Sequence, residues 1–171
     1  MEFFDLIRQR HSIRSFDDRR PLEQEKLDAI LETARSAPSA GNLQSYEIYV
    51  VKQVRHRSAL ARAACAQGHV LVAPVSLVFC ANPARGVEKF GARSEFYAIQ
   101  DATIACAYAQ LAASELKLAV CWVGSFDPDA VRQVIGAPKD QLPTSILPLG
   151  YPDGEPEIKE RRPLEDLVHF V

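Results

Sequence analysis

The spacing of apolar residues changes several times along the 171-residue chain, and each change marks an expected element. Residues 2–9 place Phe3, Phe4 and Ile7 on one side of a short helix, and residues 11–16 read as extended. Pro21 is expected to open a second helix, in which Leu27, Ile30, Leu31 and Ala34 recur at i, i+3, i+4 and i+7. Residues 38–44 are rich in turn formers and form a loop. Short β-branched or apolar runs at 47–52, 75–80, 120–123 and 144–149 predict strands. Asp127-Pro128 is a helix start, a capping oxygen followed by proline at the first helical position. A proline-rich, charged tail follows Tyr151.

The longest element is a helix over residues 94–117, rich in alanine. Ile99, Thr103, Cys106, Ala107 and Gln110 form one stripe, with Ile104, Tyr108 and Leu111 beside it. A helix apolar almost all round is expected at the centre, packed on several sides. Helices come first and strands are then interleaved with helices, without the regular alternation of a doubly wound fold. The expected fold is therefore α+β, a small mixed, mainly antiparallel sheet wrapped by helices, in a single domain over residues 1–171. The tail ends in apolar Leu167, Val168, Phe170 and Val171, which should dock somewhere, and another subunit is one such place.

Composition narrows the classes of function. Hydrophobic residues make up 47% and charged residues 25%, as in a globular protein. A net charge of −2 argues against nucleic acid as the main partner. The basic residues nevertheless cluster at both ends, as Arg8, Arg10, Arg14, Arg19 and Arg20 and as Lys159, Arg161 and Arg162, which suits a local anionic ligand. Cys65, Cys80, Cys106 and Cys121 lie far apart without metal-site spacing, so reduced thiols in a cytoplasmic protein are expected, with no metal. No run approaches the roughly 18 apolar residues of a membrane span, and no membrane association is expected.

Three segments could carry chemistry. In residues 8–16, Arg10, Ser12 and Arg14 alternate, so an extended backbone turns all three to one face, suited to a phosphate. Arg8 and Arg10 could equally complement the C-terminal end of the first helix. Residues 36–46 carry Ser39, Asn42 and Gln44, whose amides can both donate to and accept from a heterocycle edge, although Pro38 and Gly41 are also ordinary punctuation after a helix. At 119–126, Gly124-Ser125 follows a strand that holds the sole tryptophan, Trp122, and a glycine there admits a ligand to backbone N–H groups. No paired carboxylates and no Ser/His/Asp grouping stand out. His11, His56, His69 and His169 are scattered, so the hard chemistry of an enzyme built this way falls to a cofactor.

In order along the chain, these segments resemble the nitroreductase family. The resemblance rests on Arg10-His11-Ser12-Ile13-Arg14-Ser15-Phe16, on Ala37-Pro38-Ser39 with Asn42 and Gln44, and on Gln67 ahead of Ala73-Pro74-Val75. It continues with Asp101-Ala102 in the long helix, the Trp122–Gly124 strand end and the tail from Gly150. It implies an intertwined homodimer that binds FMN, with NADH or NADPH as reductant and a small-molecule acceptor such as a nitroaromatic, quinone or flavin. Arg10 and Ser12, in the segment that includes His11, would hold the FMN phosphate with Lys159 and Arg161. Arg14 would reach the N1/O2 edge of the flavin ring and Gln67 the N3/O4 edge. Backbone N–H groups of Gly124 and Ser125 would face N5. Pro38, Ser39, Asn42 and Gln44 would come from the other subunit, and no side chain is expected as general acid or base.

Two departures stand out. The family's N-x-Q-P-W loop reads Asn42 to Gln44 followed by Ser45-Tyr46, and its G-L-G reads Lys117-Leu118-Ala119. Tyr46 and the lid-like stretch 82–95 are expected to shape the substrate side. The same scaffold also accommodates a flavin carrier or sensor, or a narrow reductase or dehalogenase.

Overall fold

The structure, a computed structural model, describes residues 2–171. Helix α1 (Phe3–Gln9) is followed by an extended segment that crosses to the middle of the molecule. There the Ile13 N–H donates to Val120 O at 3.0 Å and the Asp17 N–H to Tyr151 O at 2.9 Å. Helix α2 (Gln24–Arg35) starts three residues beyond Pro21, after the extended Glu23, so the proline precedes the helix instead of opening it. Its buried face is Leu27, Ile30 and Ala34.

Strand β1 (Tyr46–Val51) leads into α3 (Val54–Ala63) and α4 (Gly68–Val72), two helices in a stretch for which the sequence pattern set no expectation. Strand β2 (Val75–Ala81) is buried at every position. Residues 82–93 form short turns around the four-residue helix α5 (Val87–Phe90). Helix α6 (Ser94–Glu115) is the longest element, and β3 (Ala119–Val120) follows it. Helix α7 (Pro128–Ile135) is capped as expected. Asp127 accepts from the N–H groups of Asp129 and Ala130 at 2.9 and 3.0 Å, and Gly136 closes the helix in the left-handed conformation. Strand β4 (Leu142–Gly150) completes the sheet.

The sheet order is β1-β2-β4-β3, and every neighbouring pair is antiparallel. Of the expected third strand, 120–123, only Val120 pairs regularly, together with Ala119 before it. Beyond Val120 the chain breaks at Cys121 and Trp122 and touches β4 again only at Val123–Ile146. One face of the sheet packs on α2 and α6, through a core that includes Leu27, Ile30, Leu77, Phe79, Leu147 and Leu149. The other packs on α3, α4 and α7 around Leu60, Val70, Val78, Val131 and Ile146.

The long helix rotates differently from expectation. Its buried stripe is Ala98, Asp101, Ala102, Ala105, Cys106, Ala109 and Ala113, while Ile99, Thr103 and Ala107 face outward. Alanines let the helix approach the sheet and α2 closely, so the small residues, not the larger apolar ones, turn inward. The consequence is apolar surface left open within one chain: Ile99 is 39% and Tyr108 36% exposed, and on α1 Phe3 and Phe4 are 60% and 71% exposed. The tail is exposed throughout residues 157–171, and its apolar end, Leu167, Val168, Phe170 and Val171, stays open within the chain.

Lys117 stands where the resemblance placed a glycine, and it adopts a left-handed φ of +60°. The N–H groups of Lys117 and Leu118 close α6 on the carbonyls of Ser114 and Ala113, at 3.1 and 2.9 Å. A side chain costs about 1–2 kcal/mol in that conformation. Lys117→Gly should therefore raise stability by about 1 kcal/mol, read as a higher midpoint in urea unfolding with an unchanged slope. An unchanged or lower midpoint would remove the strain assigned to this turn.

Candidate functional site

Helix α1 ends because Arg10 takes extended backbone, φ −69° and ψ 113°. Alternation then decides what faces where. Ile13 packs inward on Phe16, Ala73 and Ala119, so Ser12 and Arg14 take the opposite face. Arg10, His11, Ser12 and Arg14 line a narrow cleft of about 100 Å³ with Glu157, Lys159 and Arg161. The two ends of the chain, both basic in sequence, thus meet in space. Four cations and a hydroxyl share that cleft with one carboxylate, Glu157, which pairs with Lys159 at 3.1 Å. Both partners are about two-thirds exposed, so this pair contributes little.

The cleft continues past Arg14. The Cys121 thiol lies beneath Ser12 and Arg14; burial pushes it up, and the Arg14 charge and hydrogen bonds from both residues partly offset that. His69, on α4, also lies beside Arg14. Burial first, and then the guanidinium charge, hold its imidazole below the ordinary histidine value, so it is neutral at pH 7. Its Nε2 is buried and has no hydrogen-bond partner among the described residues. Such an orphaned ring nitrogen beside a cation points to a ligand that supplies the missing partner.

Cys65 and Ala66 have left-handed φ of +56° and +58° and turn the chain sharply after α3. That turn delivers Gln67, whose Nε2 donates to Ser125 O at 3.0 Å. Gly124 and Ser125 are exposed at the end of the broken strand, and a Cβ on Gly124 would meet Trp122 Nε1 at 3.4 Å. The donor set therefore runs from a cationic end through a neutral imidazole to an amide and exposed backbone N–H groups. It fits a phosphorylated cofactor with a polar, planar ring, which is the form of FMN.

Pro38, Ser39, Asn42 and Gln44 lie elsewhere. Their loop is wired internally: Gln44 N and Nε2 reach Ser39 Oγ at 3.0 and 3.2 Å, and Nε2 also donates to Asn42 Oδ1 at 2.8 Å and to Asn42 O. Gly41, Asn42 and Gln44 all adopt left-handed φ, at +56°, +59° and +44°. Two non-glycine residues held so are strained, and strain of this kind collects at ligand sites. Among the described residues no hydrogen bond or ion pair joins this loop to the Arg10–Ser125 strip. Within one chain the loop and the strip are therefore two separate groups of polar residues.

Asp101 fixes the loop. It is 1% exposed on α6, and its carboxylate accepts from Ala40 N at 2.8 Å and Ser45 N at 3.2 Å. Tyr46, expected on the substrate side, is instead a core residue, 8% exposed, with its hydroxyl donating to Ala34 O at 3.2 Å. A strand residue facing α2 and α6 is enclosed by those helices, and its position next to the loop does not change that.

The model of the nitroreductase family matches residues 7–70 and 63–151. The chain belongs to the nitroreductase family. Within that family it is 34% identical to an NADH dehydrogenase of Thermus thermophilus over 187 aligned positions, covering 93% of this chain and 91% of that one. It is 31% identical to an FMN reductase [NAD(P)H] of Bacillus subtilis, covering 98% of this chain and 73% of that one. The solved NADPH:FMN oxidoreductase of Vibrio harveyi, in complex with NAD+, superposes with a TM-score of 0.89 at 27% identity, over 98% of this chain and 76% of that one. The family match stops at residue 151, so Lys159 and Arg161 rest on the geometry of the cleft.

His69 carries no signal in the sequence as a candidate for the site, because nothing in its spacing places it near Arg14. Asp101 was visible only as part of a family pattern. Asp101→Ala would leave one buried and one part-buried N–H group unpaired, at about 1–3 kcal/mol each. It should lower stability by about 2–5 kcal/mol and weaken cofactor retention, measured by urea unfolding and by flavin content after gel filtration. A variant as stable and as well loaded as the parent would dissolve the anchoring role.

Proposed function

We propose that this chain is one subunit of a homodimeric, FMN-dependent NAD(P)H oxidoreductase in which each site combines the Arg10–Ser125 strip of one copy with the 38–44 loop of the other. The observation that carries this reading is the cleft in which basic residues from both chain ends converge on a hydroxyl. Bound FMN would supply the chemistry, taking up hydride from NADH or NADPH and passing it to a small acceptor such as a nitroaromatic, quinone or flavin. The protein's own groups bind and orient. Arg10, Ser12, Lys159 and Arg161 hold the phosphate. Arg14 places a fixed positive charge, and His69 a neutral imidazole, beside the polar edge of the ring. A cation preorganised there favours the more negative, reduced state without reorganising during turnover. Gln67 and the N–H groups of Gly124 and Ser125 complete the edge contacts, and no side chain serves as general acid or base.

The second copy is supported by exposed large apolar side chains, among them Phe3, Phe4, Ile99, Tyr108, Leu167 and Phe170. It is supported equally by the separation of the two half-sites. Among the described residues no helix is long and apolar enough to cross a membrane. The four free cysteines support placement in the cytoplasm.

Two arginines should separate binding from redox tuning. Arg10→Ala is expected to weaken FMN by about 1.5–3 kcal/mol and to reduce the preference for FMN over riboflavin, measured by fluorescence titration. Arg14→Gln should instead lower the flavin midpoint potential, by about 30 mV for each ~1.4 kcal/mol of lost stabilisation, read against a reference dye. Equal affinity of the parent for FMN and riboflavin would refute the phosphate cleft, and an unchanged potential in loaded Arg14→Gln would take that residue out of redox tuning.

Assembly has its own measurement. Sedimentation of the flavin-loaded protein should show a dimer. A stable, fully loaded monomer would overturn the composite site.

A further inference from the structure

The segment between β2 and α6 is the part of the chain that the cofactor reading leaves unused. It is folded directly onto the 38–44 loop. Asn82 N donates to Ser45 O at 2.9 Å, and Arg85 is held by two bonds to Glu47, at 2.9 and 3.0 Å. Lys89 Nζ comes within 3.5 Å of Gly41 O. A Cβ on Gly41 would overlap that ammonium and lie 3.1 Å from the Phe90 ring, so the left-handed glycine is what lets the segment sit this close.

Three rings form a small platform beside that contact. Phe90 and Tyr97 have centroids 4.8 Å apart, and Phe96 meets Tyr97 edge-on at 5.7 Å. Two cations stand over them. Arg93 lies 5.0 Å from the Tyr97 centroid and 5.6 Å from that of Phe96, and Lys89 lies 5.6 Å from Phe90. Glu88 precedes Lys89 and Glu95 follows Arg93 by two residues, yet among the described residues neither Lys89 nor Arg93 forms an ion pair with any carboxylate. Phe96 is 53% exposed. Half-open rings suit a flat aromatic face, and unpaired cations beside them suit a negative substituent on that same ring.

We propose that Lys89 and Arg93, with the Phe90, Phe96 and Tyr97 platform, select planar aromatic acceptors that carry an anionic group, such as a carboxylated nitroaromatic or quinone. This rests on the flavoenzyme reading, because the platform borders the loop assigned to the cofactor. It names the acceptor class of that same site. Discrimination is electrostatic and arises at an open surface, so it weakens as salt screens the two cations.

The test uses the purified protein and two probes that differ only in charge, 4-nitrobenzoate and 4-nitrobenzamide, titrated by calorimetry without NAD(P)H. The benzoate should bind about tenfold tighter at low salt, equivalent to ~1.4 kcal/mol. About 0.5 M NaCl should reduce that ratio, as should Lys89→Gln with Arg93→Gln, both changes at exposed positions. Equal affinity for the probes, or a preference that survives the double substitution, overturns the proposal. The salt arm needs no variant and decides the matter should the double variant fail to fold. If the cations served the dinucleotide instead, the double substitution would raise the KM for NADPH and leave the probe ratio unchanged, which also overturns it. Flavin absorbance of the same samples reports on the cofactor separately. A colourless protein that still prefers 4-nitrobenzoate would sink the flavoenzyme reading and leave the anionic selectivity standing.

Discussion

A single buried carboxylate organises the loop on which the rest of the candidate site depends. Asp101 sits on the central helix, and its two oxygens take the N–H groups of Ala40 and Ser45, the two ends of the left-handed loop. A charge in this setting is tolerable only because backbone donors replace the water it gave up. The loop in turn carries strained residues at Asn42 and Gln44, which hold their shape only while both ends are pinned. The alanine stripe on the same helix does the complementary task. It brings the helix axis close enough to the sheet for a short aspartate to reach the loop.

The replacement of the family's proline by Ser45 follows from this constraint. Proline stiffens a turn through its ring but lacks an N–H. Here the position donates to Asp101, so a hydrogen bond does the stiffening that a ring does elsewhere. Proline at 45 would also disfavour the left-handed φ of +44° at Gln44, since the residue before proline is pushed towards extended backbone.

Much of the fold was legible in the sequence where one periodicity dominated. Strands β2 and β4, the cap at Asp127 and the alternation of Arg10, Ser12 and Arg14 all follow from spacing alone. The rotation of α6 did not, because a helix apolar on most sides has no preferred face until the neighbours' shapes choose one, and there the small residues won. Pro21 looked like a helix start and is a spacer, since Glu23 supplies the extended residue before α2. For the candidate site, the basic chain ends that line the cleft could be read from charge clustering. The neighbourhood of Arg14, His69 and Cys121 could not, because three distant segments meet there only after the sheet has formed.

The proposed division of the site between two surfaces has a further consequence, in the language of mass action. If each pocket is closed by a second copy, then whatever binds it also binds the assembled form in preference to the separated chains. By linkage, the ligand must strengthen association by the same factor by which association strengthens the ligand. Retention of the cofactor then depends on how much protein is present, and dilution alone can empty a pocket whose own residues have not changed.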